Sequence, residues 1–169
     1  MNNHYICDGN TFTYNKGYIG MPVVLGTLPD TVAVEGVTLQ RKDEFHVSLV
    51  CVKNILAQMS EVEERVLALF CEYIQEHDMP SVYFTGAFRF AENDERKTLV
   101  ALCEVENLTP FFDKLNEEFG IDIPYQPTHV TLYTLQPNKG IGLNTPDDLA
   151  TLSREVNAPE EVRESLMME

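Results

Sequence analysis

Two stretches of this chain alternate polar and apolar residues so regularly that each reads as a half-buried strand, and they nearly repeat one another. They are Phe45-His46-Val47-Ser48-Leu49-Val50 and Thr128-His129-Val130-Thr131-Leu132-Tyr133, separated by 83 positions. In the first, Phe45, Val47, Leu49 and Cys51 share one face, and His46, Ser48 and Val50 the other. In the second, Val130 and Leu132 oppose His129, Thr131 and Tyr133. Strand residues two apart lie on one face, roughly 6 to 7 Å from each other, so each stretch presents an imidazole and a hydroxyl together. The near-repeat suggests two related lobes, each supplying one such strand.

The rest of the chain is a mixture of both periods. Residues 17–28 read as a strand interrupted near Met21-Pro22, with Pro22 marking an edge or a bulge. The strand around His46 extends over 44–54. Ser60 and Glu63 form a capping-box signature, and Val62, Val66, Leu67, Phe70, Tyr73 and Ile74 recur at helical spacing, predicting a helix to about His77 that Pro80 closes. Residues 81–90 and 97–106 read as a hairpin with Asn93-Asp94 at the turn. Thr109-Pro110 opens a short helix with Phe111, Phe112, Leu115 and Phe119 on its apolar stripe and Gly120 at its C′ position. Thr145-Pro146 begins a late helix to about Arg154, and the acidic stretch after Pro159 is either a further helix or a loose tail. This order predicts an α+β fold.

At 169 residues, with 44% apolar and 23% charged composition, the chain suits a single domain over 1–169, built from two small lobes. A formal charge of −15 makes the surface repel long polyanions, so duplex nucleic acid is not an expected partner. A small phosphate ligand needs only a local cluster of donors; Lys16, Arg41, Lys42, Lys53, Arg89, Lys97 and Lys139 are the candidates. Cys7, Cys51, Cys71 and Cys103 show neither CxxC spacing nor paired histidine ligands, which argues against a zinc knuckle or a redox dithiol. Three of them fall in apolar patterns and read as buried thiols. With a polar opening at Met1-Asn2-Asn3-His4-Tyr5 and no apolar run long enough to span a bilayer, the expected compartment is a reducing cytoplasm and the expected state a monomer.

Two histidine–hydroxyl units facing one ligand are what phosphodiester cleavage requires. A neutral imidazole draws a proton from the attacking oxygen, and a protonated one supplies a proton to the leaving oxygen. Hydroxyls hold the non-bridging oxygens, and neither metal nor cofactor is needed. With an ordinary pKa near 6.5, histidine can play either part at neutral pH, and the sequence does not say which does which.

At these positions the chain resembles the 2H phosphoesterase superfamily, whose mark is a pair of His-x-Ser/Thr-x motifs, here His46-Val47-Ser48-Leu49 and His129-Val130-Thr131-Leu132. The resemblance implies two pseudo-symmetric antiparallel-sheet lobes flanked by helices around a central cleft. It also implies a metal-independent phosphodiesterase acting on a small nucleotide or short oligonucleotide: a 2′,3′-cyclic nucleotide, an RNA end in RNA processing, a 2′-5′ linkage or a cyclic oligonucleotide. The positions carried over are His46 and His129 as the catalytic pair, with Ser48 and Thr131 as substrate-binding hydroxyls. Tyr133 shares the face of Thr131 and is expected either to contact substrate or to be an ordinary strand aromatic. Tyr14, Tyr18, Phe84 and Phe88 read as core rather than base-stacking groups, Arg89 as solvent-facing, and His4 and His77 as non-catalytic. Residues 137–142 read as a plain turn. The competing expectation is a non-catalytic nucleotide-binding module with the same cleft.

Overall fold

The computed structural model describes residues 4–9, 11–77 and 81–167, which hold ten strands and five helices in a mixed α+β arrangement with an antiparallel sheet. Pro80, expected to close a helix, and Met1 to Asn3 lie outside the described residues. Among the described residues no helix is long and apolar enough to cross a membrane. The chain divides into two compact units. The first runs to Met21 and takes in Ser48–Val82 and Val105–Gln126; the second takes in Pro22–Val47, Tyr83–Glu104 and the chain from Pro127 on.

In the first unit, strands β1 (Tyr5–Ile6), β2 (Phe12–Asn15) and β3 (Tyr18–Pro22) form an antiparallel meander. Gly17, between β2 and β3, has φ +86°, and a side chain there would run into the Lys53 stem. Its carbonyl accepts the Val52 N–H at 2.8 Å, so helix α1 (Val52–Gln58) starts against this turn. The strand expected to reach residue 54 therefore ends at Cys51, and Val52 and Ile55 bury the inner side of a helix instead.

Helix α2 (Glu63–Glu76) buries Val66, Leu69, Phe70 and Tyr73, and α3 (Leu108–Phe119) buries Leu108, Phe111, Phe112, Leu115 and Phe119. These stripes meet through aromatic edges: Phe70 lies 5.3 Å from Phe12 and 5.4 Å from Phe111, and Tyr73 lies 5.4 Å from Phe111. The Tyr73 hydroxyl donates to the Asn107 carbonyl at 2.8 Å, fixing the residue that precedes α3. Asn107, at φ 66°, takes the N-cap position expected of Thr109; asparagine tolerates this left-handed conformation better than a β-branched residue. Gly120 ends the helix at φ 65°, as its position predicts. The Ser60–Glu63 capping box is not used: Val62 occupies the N-cap with no side-chain bond.

Not every cysteine is a free thiol. Cys7, in the turn after β1, forms a disulfide with Cys71 on α2, with Cα atoms 4.9 Å apart. Cys51 and Cys103 are buried free thiols, as expected. A pairing across 64 positions has no local spacing to announce it.

The second unit opens with the hairpin of β4 (Thr31–Val34) and β5 (Val37–Arg41), closed by Glu35 and Gly36 at φ 52° and 76°. Two successive positive φ angles match the primed turns that suit strand twist. Strands β7 (Val82–Glu92) and β8 (Lys97–Val105) bear out the expected hairpin, and the Asn93 side chain accepts the N–H groups of Glu95 and Arg96 at 2.9 and 2.7 Å to form its turn. Helix α4 (Pro146–Leu152) is capped by Thr145, which accepts the Asp148 N–H at 3.0 Å. It stops short of Arg154 because β10 (Ser153–Val156) pairs with β7. Arg89 is half-buried, not solvent-facing: its Nε donates to Ser153 Oγ at 2.7 Å and holds this junction. The acidic stretch after Pro159 is helix α5 (Glu160–Met167).

Strands β6 (His46–Cys51) and β9 (His129–Thr134) complete the sheet, in the order β1-β2-β3-β6-β9-β8-β7-β10 with β4 on β5 and β5 on β9. The unit boundary falls within β6, between Val47 and Ser48. Both histidines belong to the second unit, on neighbouring strands, while β6 from Ser48 on belongs to the first. The first unit carries α1, α2 and α3 with short strands, and the second carries most of the sheet.

Candidate active site

The register of β6, β9 and β8 builds the site. Val47 pairs with Val130, and Val130 with Ala101, giving a row across three strands that is 0–1% exposed. Because successive side chains alternate, the residues flanking this row emerge on the other face. The antiparallel direction sets His46 beside Thr131, with His129 at the diagonal position, roughly 7 to 8 Å away between backbones. Ser48 follows His46 by two and continues its face along β6. His46 is exposed, and Ser48, His129 and Thr131 are half-buried. The backing is dry while the polar face meets solvent.

A bulge shapes one margin of this face. Between the pairs Arg41↔Tyr133 and Val47↔Val130, β9 advances three residues while the strand beside it advances six. The surplus loops out over residues 42–45, as bulges beside functional sites commonly do. Its ends are pinned: the Lys42 N–H donates to the Leu132 carbonyl and the Val23 N–H to the Phe45 carbonyl, both at 2.9 Å. Its middle is clasped by Asn138, whose Oδ1 accepts the Asp43 N–H at 3.2 Å and whose Nδ2 donates to Asp43 Oδ2 at 2.9 Å.

The electrostatics follow from this crowding. Burial, then the positive charge of Lys42, then His129 push the His46 imidazole down to about 4. Although His46 is exposed as a residue, enough protein surrounds it that loss of hydration is the largest cause; the Lys42 and His129 contributions follow from proximity. His129 is also lowered, by burial and by Lys42, against a bond from its Nδ1 to the Pro127 carbonyl at 3.0 Å. A carbonyl only accepts, so Nδ1 carries the proton and Nε2 keeps its lone pair in the neutral ring. Lys42 is lowered by burial, partly offset by Glu44.

Both folded-state histidines sit below the ordinary value near 6.5, so the unfolded chain takes up protons first as pH falls. Stability is untouched above about pH 6.5 and declines between there and about pH 4. Urea midpoints at pH 7 and pH 5 are expected to differ by less in His46→Gln than in wild type. Equal differences in the two proteins would show that His46 is not held neutral.

The structure sorts the other expected residues. Tyr133 is 0% exposed and its hydroxyl donates to the Pro29 carbonyl at 2.7 Å, so its substrate-binding role is corrected to support of the 28–30 loop. Arg41 pairs with Asp30 at 3.2 Å, Lys97 with Glu92 at 3.8 Å, and the Lys53 ammonium sits 5.0 Å over the Tyr18 ring. Tyr14 donates to Glu63 at 2.6 Å, and Phe88 is buried. His77 stacks on Tyr73 at 4.0 Å, a structural contact, and residues 136–139 form a turn as expected. Of the seven candidate cations, Lys42 is the one whose charge bears on both histidines. Sequence reasoning left it unplaced among the seven, because only the bulge brings it there.

Among the described residues no three His, Cys, Asp or Glu side chains come together as a metal site. A depression of about 460 Å³, lined in part by Ala33, Glu35, Glu155 and Pro159, shares no residue with the histidine face, and its two carboxylates suit it poorly to phosphate. Comparison with known proteins adds no relative: no family model, curated protein or solved structure matches the chain.

Proposed function

We propose that this chain is a metal-independent phosphodiesterase of small nucleotides, using His46 and His129 as its acid–base pair. The observation that carries the reading is the diagonal placement of two imidazoles on one solvent-facing sheet surface, each with a hydroxyl two residues along its own strand. That spacing suits one tetrahedral phosphate between them.

The roles follow from the two environments. His46 has no hydrogen-bond partner among the described residues and stays neutral down to about pH 4, so it is the base in the resting protein. His129 has its Nδ1 proton fixed on the Pro127 carbonyl, a contact that favours the imidazolium, so a proton gained at Nε2 is the one delivered to the leaving oxygen. The negative charge of a bound phosphodiester raises both rings toward neutrality and makes this division workable at physiological pH. Ser48 and Thr131 donate to the non-bridging oxygens, where charge builds as the attacking oxygen bonds to phosphorus and the P–O bond to the leaving oxygen breaks.

The acidic chain, at −15, favours a mononucleotide or short oligonucleotide over a long polyanion. The substrate class is therefore a 2′,3′-cyclic phosphate, a short RNA end, a 2′-5′ linkage or a cyclic oligonucleotide, taken up by a monomer. A reducing cytoplasm remains the proposed compartment, where Cys7 and Cys71 would stand as adjacent thiols. Hydrolysis of these four substrate types in EDTA tests the reading. Chelator-resistant turnover of at least one is expected, and folded protein that turns over none would leave a nucleotide-binding module as the better account.

A further inference from the structure

Lys42 stands apart from the other cations of this chain. It is half-buried, and no carboxylate comes within ion-pair distance of it among the described residues. The acidic group that acts on it is Glu44, exposed in the same bulge. Facing it are His46 at the start of β6 and His129 at the start of β9, while Asp43 is turned to Asn138 and Arg41 to Asp30. In a chain of net charge −15, the bulge thus assembles three basic groups with no fixed counter-ion among them. A protein that surrounds a lysine with two imidazoles spends stability unless an anion completes the group.

We propose that Lys42, delivered by the 42–45 bulge, is the residue that holds an anionic oxygen of phosphate between His46 and His129, so that the site takes up phosphate and a proton together. This rests on the phosphodiesterase reading for its substrate, but the binding itself does not require turnover. The depressed imidazoles describe the empty site: burial is the larger cause, and an anion on Lys42 offsets the part that its charge adds, so that the proton gained is the one the reaction needs at His129. Asn138 is a positioning residue in this scheme, since its clasp on Asp43 sets the path of the bulge. Because Asn138 has φ 59°, Asn138→Gly keeps the turn and removes only the amide.

Inorganic phosphate is the probe, followed through the ring-nitrogen NMR signals of His46 and His129 across pH in wild type, Lys42→Met and Asn138→Gly. Methionine keeps the apolar stem, so the fold should persist. In wild type, phosphate is expected to bind more tightly as pH falls and to raise both imidazole pKa values. In Lys42→Met the phosphate Kd should rise about tenfold or more, as for loss of a hydrogen bond to a charged group. Without phosphate, both imidazoles of this variant should titrate higher than in wild type, a change that a merely structural lysine would not cause. Asn138→Gly should weaken phosphate binding by a smaller factor. Wild-type phosphate affinity in Lys42→Met, or histidine titrations that ignore the substitution, would overturn the assignment. The two readings fail separately: Lys42-dependent phosphate binding without hydrolysis of any phosphodiester defeats the reaction alone. Histidine-dependent turnover with an unchanged KM in Lys42→Met defeats this inference alone.

Discussion

Alanine in place of His46 or His129 is expected to lower kcat/KM for the best phosphodiester substrate by about 10²- to 10⁴-fold, the usual contribution of a positioned acid or base. The two losses should not add. Removing one partner of a concerted proton transfer already disables it, so the double variant should fall little below the worse single one. The wild-type pH profile should be bell-shaped and should survive EDTA, while each single variant loses one limb. Loss of the acidic limb in His46→Ala and of the basic limb in His129→Ala would support the assigned roles, and the converse would exchange them. Turnover that persists in both variants would end the two-histidine mechanism. Neither replacement should unfold the protein, because both rings stand on the solvent side of a row of buried residues, Val47, Val130 and Ala101.

Reduction of the Cys7–Cys71 bond is expected to produce the largest change in stability. The bond closes a loop between residues 64 apart, and the loss of chain entropy it imposes on the unfolded state corresponds to about 4 kcal/mol. It also ties the turn after β1 to α2, where Phe12 and Phe70 pack edge to face at 5.3 Å. Urea unfolding of the oxidised protein should therefore have a clearly higher midpoint than unfolding in reductant, and the double variant Cys7→Ser/Cys71→Ser should ignore reductant. Catalysis should change little, since the bond joins the turn after β1 to α2 and neither carries His46, Ser48, His129 or Thr131. A midpoint indifferent to reductant in the wild type would mean that the bond contributes nothing. Alkylation of protein taken directly from its cell tests the compartment: four reactive thiols after denaturation would agree with a reducing one, and two would place the chain where disulfides persist.

Local pattern was enough for much of the fold. Alternation in Phe45 to Cys51 and Thr128 to Tyr133 located β6 and β9, and the stripe of Val66, Phe70 and Tyr73 located α2. The β7–β8 hairpin and the glycine end of α3 were equally visible, because turn and cap chemistry acts within a few residues. The β4–β5 hairpin was missed although Glu35-Gly36 is a turn signal, since its strands are short and only Val32, Val34 and Leu39 are buried among alternating exposed neighbours. Strand β10 was absorbed into α4 because Ser153 to Val156 has no strong period of its own and becomes a strand by pairing with β7.

Of the site, the order of residues along the chain settles that His46 and Ser48 share a face, and that His129 and Thr131 share another, because a strand alternates whatever it pairs with. Folding settles that the two faces are one, through the register that pairs Val47 with Val130. It also removes Tyr133 from the ligand, by burying it under the Pro29 carbonyl, and admits Lys42, by crowding six residues alongside three. Alternation is a property of neighbours in sequence and can be read there. Register, bulges and the charge that one side chain imposes on another depend on which distant residues come to lie side by side, and that is fixed by the packing of the whole chain.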